Sequence, residues 1–168
     1  TTLVLNSGIY VTRQGTRSGV AVEKSQLPRL HAPLLYLSGG LQDMAHGNAS
    51  DDVERINHVP VFFGALPVGH DGTFWTEPNG GTWARVATRW LDWKLKGDAD
   101  ASWDFAGQAC RLCKDSRWTV VQKRLGLPEG PFRQSLYVPV RDGTRLAMNV
   151  YRAAREGVPV STPQPVVF

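Results

Sequence analysis

Asp43 and His70 are the residues whose types and positions best suit catalysis. Each lies just beyond an apolar run, in a loop with several glycines: SGGLQD at 38–43 and VGHDGT at 68–73. An imidazole, with an ordinary pKa of about 6.5, can take a proton from a hydroxyl group and return it to a leaving group. A carboxylate on the other ring nitrogen fixes the tautomer and stabilises the imidazolium that forms. The pair therefore predicts acid–base catalysis in support of a nucleophile.

Three short apolar runs, at residues 2–5, 32–37 and 59–66, predict the strands that position these loops. Uninterrupted runs of this length are typical of strands that are buried on both faces of a sheet. Between the second and third runs, residues 51–56 predict a short helix with Asp51 as its N-cap and Glu54 in the capping-box position.

The strongest helix signal lies at residues 82–96, where apolar residues recur with a helical period. They form a single stripe: Trp83, Val86, Ala87, Trp90 and Leu91. Thr82 is expected to cap the start, and Gly97 is expected to end the helix. Strand and helix therefore alternate, which predicts an α/β fold with a mostly parallel sheet.

The order of the two loops carries functional information. In open α/β sheets, ligands bind beyond the carboxyl ends of the strands, so the Asp43 and His70 loops are expected to meet there. An acid that precedes the base by 27 positions fits the chain order Ser, Asp, His of the α/β-hydrolase triad.

The C-terminal part has a different organisation. Residues 98–123 predict irregular structure, residues 127–131 predict a linker, and the apolar residues 166–168 predict a final strand. Two further strands, at 134–140 and 144–151, flank Arg141-Asp142-Gly143, and Asp-Gly between such runs is a hairpin signal. We expect a first unit at 1–126, the linker, and a second unit at 132–168.

Residues 1 to about 125 resemble the C-terminal half of a serine α/β-hydrolase of the dienelactone-hydrolase-like and secreted esterase groups. The resemblance is carried by NSGI at 6–9, YLSGG at 36–40, VPVFF at 59–63, GHDGT at 69–73 and WLDWKLKG at 90–97. It implies that Asp43 is the triad acid and His70 the triad base. It also implies an ester or amide substrate, small or peptidic, and no cofactor.

The nucleophile of that family is missing from this sequence. The family motif G-x-S-x-G occurs nowhere in the 168 residues, and neither Ser7 nor Ser38 has a glycine two positions before it. Both serines are expected to be turn residues. We therefore expect the chain to be a fragment, with its serine and oxyanion hole in sequence outside it, and to be inactive alone.

A second resemblance begins near the C-terminus. YVPVRDGTRLAMNVYR at 137–152 is similar to the opening hairpin of cocaine-esterase and X-prolyl dipeptidyl-peptidase type hydrolases. Because these are also serine α/β-hydrolases, the resemblance implies that the end of one hydrolase domain is joined to the start of another. Within this hairpin, Asp142 is expected to shape the turn.

Several other residues have competing interpretations. Asp51 and Asp52 are expected to cap a helix, and Asp71 to shape the turn beside His70. His46 could join His70 in a metal site, but no set of three or four ligands with suitable spacing is present. The remaining candidates are solvated histidines (His31, His58), residues of an acyl pocket or of loop packing (Phe74, Trp75), and core aromatics (Trp83, Trp90, Trp93).

Composition and cysteine content limit the other function classes. The 19 Lys and Arg residues are scattered among 15 Asp and Glu residues, unlike the concentrated charge of a nucleic-acid-binding face. No apolar run is long enough to span a bilayer. Cys110 and Cys113 form a C-x-x-C pair that could be structural, redox-active or half of a zinc site, and we expect a structural pair. The alternative to a hydrolase is a non-catalytic binding module built on hydrolase strands.

Overall fold

The structure of the protein is a computed structural model that describes residues 1–8, 23–163 and 165. Its centre is a four-stranded sheet in the order β1-β2-β3-β4. The strands are β1 (Thr2–Leu5), β2 (Leu34–Ser38), β3 (Val61–Ala65) and β4 (Thr119–Lys123). The first three strands are parallel, and β4 runs antiparallel to β3. This confirms the predicted α/β class with a mostly parallel sheet.

Helices cover both faces of the sheet. They are α1 (His46–Arg55), α2 (Gly81–Lys96), α3 (Ala99–Ser102) and α4 (Arg111–Lys114), with 3₁₀ turns at Lys24–Arg29 and Pro78–Gly80. Because successive strand residues point to opposite faces, Leu34 and Tyr36 belong to the apolar cluster under α1, and Leu35 and Leu37 to the cluster under α2. In the described part of the chain, every helix is too short or too polar to cross a membrane.

The aromatic residues of α2 form the centre of the larger cluster, as predicted. Trp83, Trp90 and Trp93 are buried, and Phe105 meets Trp90 edge-on with ring centroids 5.1 Å apart. The helix ends where expected, because Gly97 adopts a left-handed conformation (φ 70°) that a residue without a side chain tolerates easily.

The predicted start of α1 was wrong. The helix begins at His46, five residues before the expected cap, and its N-cap residue Ala45 makes no side-chain capping bond. Asp51 lies inside the helix, where it pairs with Arg55 at 2.8 Å. The early start has a local cause, because Asp43 lies three residues before the helix and accepts from its first donors. Its carboxylate accepts from the N–H of Ala45, and its backbone carbonyl accepts from the N–H of His46.

The predicted cap of α2 was also wrong. Thr82 lies within the helix, and the donors of its first turn are satisfied from the preceding loop. Glu77 accepts from the N–H of Thr82 (3.1 Å), and the Thr73 hydroxyl accepts from the N–H of Trp83 (2.9 Å). Side chains distant from the cap position therefore do the work of an N-cap.

The stretch at 98–123, which was expected to be irregular, contains α3, α4 and β4. Strand β4 was not predicted, because it is a short, partly exposed edge strand and lacks the continuous apolar run of a buried strand. Its last residue, Lys123, donates from Nζ to the backbone carbonyls of Val53, Glu54 and Ile56 and so satisfies the C-terminus of α1.

The C-terminal hairpin is present, with β5 (Phe132–Pro139) paired antiparallel to β6 (Arg145–Arg152). Asp142 is a turn residue as predicted, because its carboxylate accepts from the N–H of Thr144 at 2.9 Å. A shorter, unpredicted pair follows, β7 (Ala154–Arg155) and β8 (Val158–Pro159). The predicted strand at 166–168 lies outside the described residues, and the division into units at 127–131 stays a prediction.

A cluster of ion pairs joins α2 to the segment that precedes the hairpin. Arg89 binds Asp104 (2.7 Å), Asp100 (2.7 Å) and Asp98 (3.2 Å). Arg111 binds the same Asp100 and Asp104 at 2.8 and 2.9 Å. Charges that are shared in a partly buried network contribute more to stability than isolated surface pairs do.

Replacing Arg89 with methionine should lower the free energy of unfolding by about 2 kcal/mol, because three aspartates lose a charged donor in a partly buried site. Urea unfolding followed by circular dichroism measures this loss. The matched control is Arg117→Met, which breaks one exposed pair with Asp115 and should leave the unfolding midpoint unchanged. Equal losses in the two variants would contradict the importance of the network.

Candidate functional site

The carboxyl ends of the three parallel strands meet at one edge of the sheet. Leu5 is paired with Leu37, and Leu37 with Gly64, so the residues that follow these positions lie side by side. Asn6 follows β1, Ser38 ends β2, and the chain after β3 leads to His70. This is the edge at which the sequence predicted a site.

The two loops beyond β2 and β3 contact each other through their backbones. The carbonyl of Gly39 accepts hydrogen bonds from the N–H groups of Val68 (3.1 Å) and Gly69 (2.9 Å). A side chain at position 39 would not fit, because its Cβ would lie 1.8 Å from the carbonyl oxygen of Gly69. Glycine at this position is therefore a condition for the contact between the loops.

Asp43 and His70 form a hydrogen-bonded pair at this edge. His70 Nδ1 lies 2.7 Å from Asp43 Oδ1. The Asp43 side chain is completely buried, whereas 42% of the His70 side chain is exposed. Within the described residues, no hydrogen bond is made by His70 Nε2. The pair thus has a buried acid and a base that is open to solvent.

Both oxygens of Asp43 have further donors. The N–H of Ala45 donates to Oδ1 (2.9 Å), and the N–H of Gly39 donates to Oδ2 (2.9 Å). Burial raises the pKa of the Asp43 carboxyl, but the bonds from Gly39, Ala45 and His70 outweigh it, so the pKa lies below its ordinary value. Asp43 is consequently ionised at neutral pH and can only accept hydrogen bonds.

This arrangement determines the tautomer of His70. Because the ionised carboxylate has no proton to give, Nδ1 must donate to it and must carry the hydrogen. In the neutral ring, the lone pair is then on Nε2, the nitrogen that makes no hydrogen bond among the described residues. Chemically, the pair can accept a proton at Nε2 and stabilise the resulting positive charge from the opposite side of the ring.

Two residues whose roles the sequence did not indicate, Asn6 and Ser38, support the pair. Asn6, with a positive φ of 55°, donates from its side-chain amide to the backbone carbonyl of His70 and so ties the base loop to β1. The Ser38 hydroxyl lies 2.8 Å from Nδ1 of His46 and 3.4 Å from Asp43 Oδ2. An asparagine directly after a buried strand is the one local signal that could have indicated the first contact.

The other aspartates considered for the acid role, Asp51, Asp52 and Asp71, do not take the place of Asp43 beside His70. Asp52 is a buried residue of α1 itself, and it forms an ion pair with Lys24 and accepts a hydrogen bond from Tyr36. Asp71 is exposed. The expectation that Asp51 and Asp52 cap a helix was wrong, because both lie in the middle of α1.

The other histidines and the two cysteines lie in environments that do not form a metal site among the described residues. His31 and His58 are exposed, as expected, and His46 pairs with Ser38. Among the described residues, no group of three or more His, Cys, Asp or Glu side chains could hold a metal ion. Cys110 and Cys113 form a disulfide, and Cys110 is fully buried.

The two aromatic residues after His70 have different environments. Phe74 meets Trp83 edge-on, with ring centroids 5.7 Å apart, and so belongs to loop and core packing. Trp75 is 83% exposed. Of the two residues proposed for an acyl pocket, only Trp75 is available to a ligand.

Comparison with known proteins adds no family assignment: no protein-family model matches this sequence, and no curated protein matches it significantly.

Gly39→Ala should separate the two loops, because the added methyl group collides with the Gly69 carbonyl. We expect loss of the downfield Nδ1–H proton resonance of His70, measured by NMR at low temperature. The matched control is Gly47→Ala in α1, where a Cβ meets nothing within 4 Å. This control should keep the resonance and gain up to about 1 kcal/mol of stability, since alanine favours the helix. An intact resonance in Gly39→Ala contradicts the steric argument.

Asp43→Asn should change the tautomer of His70. The asparagine side chain can present an N–H to the ring, so Nδ1 becomes the acceptor and the hydrogen moves to Nε2. Long-range ¹H–¹⁵N correlation spectra of the imidazole distinguish the two forms. His58, whose Nε2 lies 2.7 Å from the Leu30 carbonyl oxygen, is the internal control and should not change. An Nδ1–H tautomer in both proteins would show that Asp43 does not orient the ring.

Proposed function

We propose that this chain supplies the acid and the base of a serine hydrolase of the α/β-hydrolase type, which cleaves ester or amide bonds through an acyl-enzyme. The observation that carries the proposal is the 2.7 Å contact between buried Asp43 and half-exposed His70. Its position at the carboxyl edge of a parallel sheet supports the proposal, because this is where α/β enzymes bind substrates.

The proposed reaction has two halves. In the first, Nε2 of His70 takes the proton of a serine hydroxyl while the hydroxyl oxygen attacks the substrate carbonyl carbon. The imidazolium then returns the proton to the leaving alcohol or amine, and the acyl group remains on the serine. In the second half, His70 takes a proton from water as the water oxygen attacks the acyl-enzyme. The imidazolium then gives this proton to the serine oxygen as it leaves, which releases the acid and restores the serine hydroxyl. Asp43 stays ionised and stabilises each imidazolium.

The serine nucleophile is proposed to come from sequence beyond these 168 residues. Neither of the serines at the ends of β1 and β2 suits the role. The Ser7 hydroxyl donates to the Gly8 carbonyl, and Ser38 is buried with its hydroxyl near Asp43 Oδ2 and His46 Nδ1, whereas His70 contacts Asp43 Oδ1. We therefore propose that residues 1–168 alone do not turn over an ester.

The test uses the natural full-length polypeptide that contains these residues, with p-nitrophenyl acetate as substrate. His70→Gln should lower kcat by roughly 10³-fold, because the general base is lost, and Asp43→Asn by a similar order. His58→Gln removes an exposed histidine that precedes β3, whereas the pair lies beyond the carboxyl ends of the strands, and it should leave kcat unchanged. A fluorophosphonate probe followed by peptide mapping should identify the labelled serine.

Two results would refute the proposal. One is unchanged hydrolysis and labelling in His70→Gln. The other is turnover by residues 1–168 alone that disappears in the same variant, since a nucleophile would then be present among these residues.

A further inference from the structure

The three most exposed large apolar residues among the described parts of the chain all lie on the two loops that carry Asp43 and His70. Leu41 is 91% exposed, Met44 is 84% exposed and Trp75 is 83% exposed. We call these three residues the apolar rim. Single exposed apolar side chains are ordinary, but this concentration beside one pair of polar groups is not.

The apolar rim does not contribute to the packing of the fold. Leu41 and Met44 flank Asp43, which is buried, and Trp75 directly follows Phe74, which packs on Trp83. Asp43 and Phe74 therefore anchor the two loops to the rest of the fold, and the rim residues do not. The Gly39 carbonyl bonds the backbone of the base loop at Val68 and Gly69, so the two loops that carry the rim are joined at the same edge of the sheet.

The charges on these loops exclude an anionic ligand. Residues 38–45 and 66–77 contain no Lys or Arg, and they carry Asp43, Asp71 and Glu77. A carboxylate or phosphate bound against these loops would meet acidic side chains and no cation of the loops themselves. Apolar surface next to an open imidazole nitrogen suits an uncharged ester with a hydrocarbon chain.

We propose that the apolar rim binds the hydrocarbon part of a neutral ester substrate and so sets the chain-length preference of the enzyme. This inference rests on the proposed hydrolase function and specifies its substrate class. Transfer of a methylene group from water to apolar surface favours binding by roughly fourfold when it is complete. Longer chains should therefore be hydrolysed with higher kcat/KM until the rim is covered.

The test measures kcat/KM of the natural full-length polypeptide for p-nitrophenyl acetate, butyrate and hexanoate. Trp75→Ser and Met44→Ser should lower the hexanoate value by about tenfold and leave the acetate value within about twofold, because acetate has no chain to bind. The matched control is Leu95→Ser, which removes a 68% exposed leucine from the far end of α2 and should not alter the profile.

A second series separates the two parts of the ester that could occupy the rim. If the acyl chain binds there, the loss in Trp75→Ser appears for p-nitrophenyl hexanoate and not for hexyl acetate. If the alcohol chain binds there, the loss appears for hexyl acetate. Either result supports the rim as the apolar subsite and assigns its occupant.

Three outcomes overturn the inference. One is an identical chain-length profile in the wild type, the rim variants and Leu95→Ser. A second is preferential hydrolysis of the negatively charged p-nitrophenyl hemisuccinate. The third is a lowered melting temperature in Trp75→Ser with an unchanged profile, which would mean that other polypeptide covers the rim. In each case, hydrolysis that still depends on His70 leaves the proposed function standing, whereas hydrolysis unaffected by His70→Gln removes the proposed function itself.

Discussion

The contact between the backbones at Gly39 and Gly69 is the constraint on which the site depends. Gly39 uses its N–H to hold Asp43 and its carbonyl to hold the loop that carries His70. A side chain at this position would occupy the space of the Gly69 carbonyl. Because both loops leave neighbouring parallel strands in fixed register, one close approach is enough to set the distance between acid and base.

The burial of Asp43 explains why the pair is asymmetric. An ionised carboxylate without partners is costly to bury, and the cost is offset here by amide hydrogen bonds to both oxygens and by the imidazole. These bonds use the acceptors of Asp43 and keep its charge at neutral pH. His70 has the opposite environment, because 42% of its side chain is exposed, as the proposed role of a general base requires.

The same loops also organise the surrounding elements. Asp43 binds the first backbone donors of α1, and Thr73, three residues after His70, accepts from the first turn of α2. Asn6 connects the end of β1 to the backbone of His70. Helix starts and site geometry are therefore coupled, because residues of the acid and base loops, and not the predicted caps Asp51 and Thr82, accept from the first donors of α1 and α2.

Sequence alone determined the features that depend on local pattern. Buried strands, the apolar stripe of α2, its glycine end and the Asp-Gly hairpin follow from side-chain type and period, and the positions of Asp43 and His70 after strands made their contact predictable. Only the tertiary structure decided the acceptor of the Trp83 N–H in α2, the edge strand β4, the roles of Asn6 and Ser38, and the exposure of Trp75 beside partly buried Phe74. These depend on which distant backbone or side chain satisfies each polar group, and residue spacing along the chain carries no record of those partners.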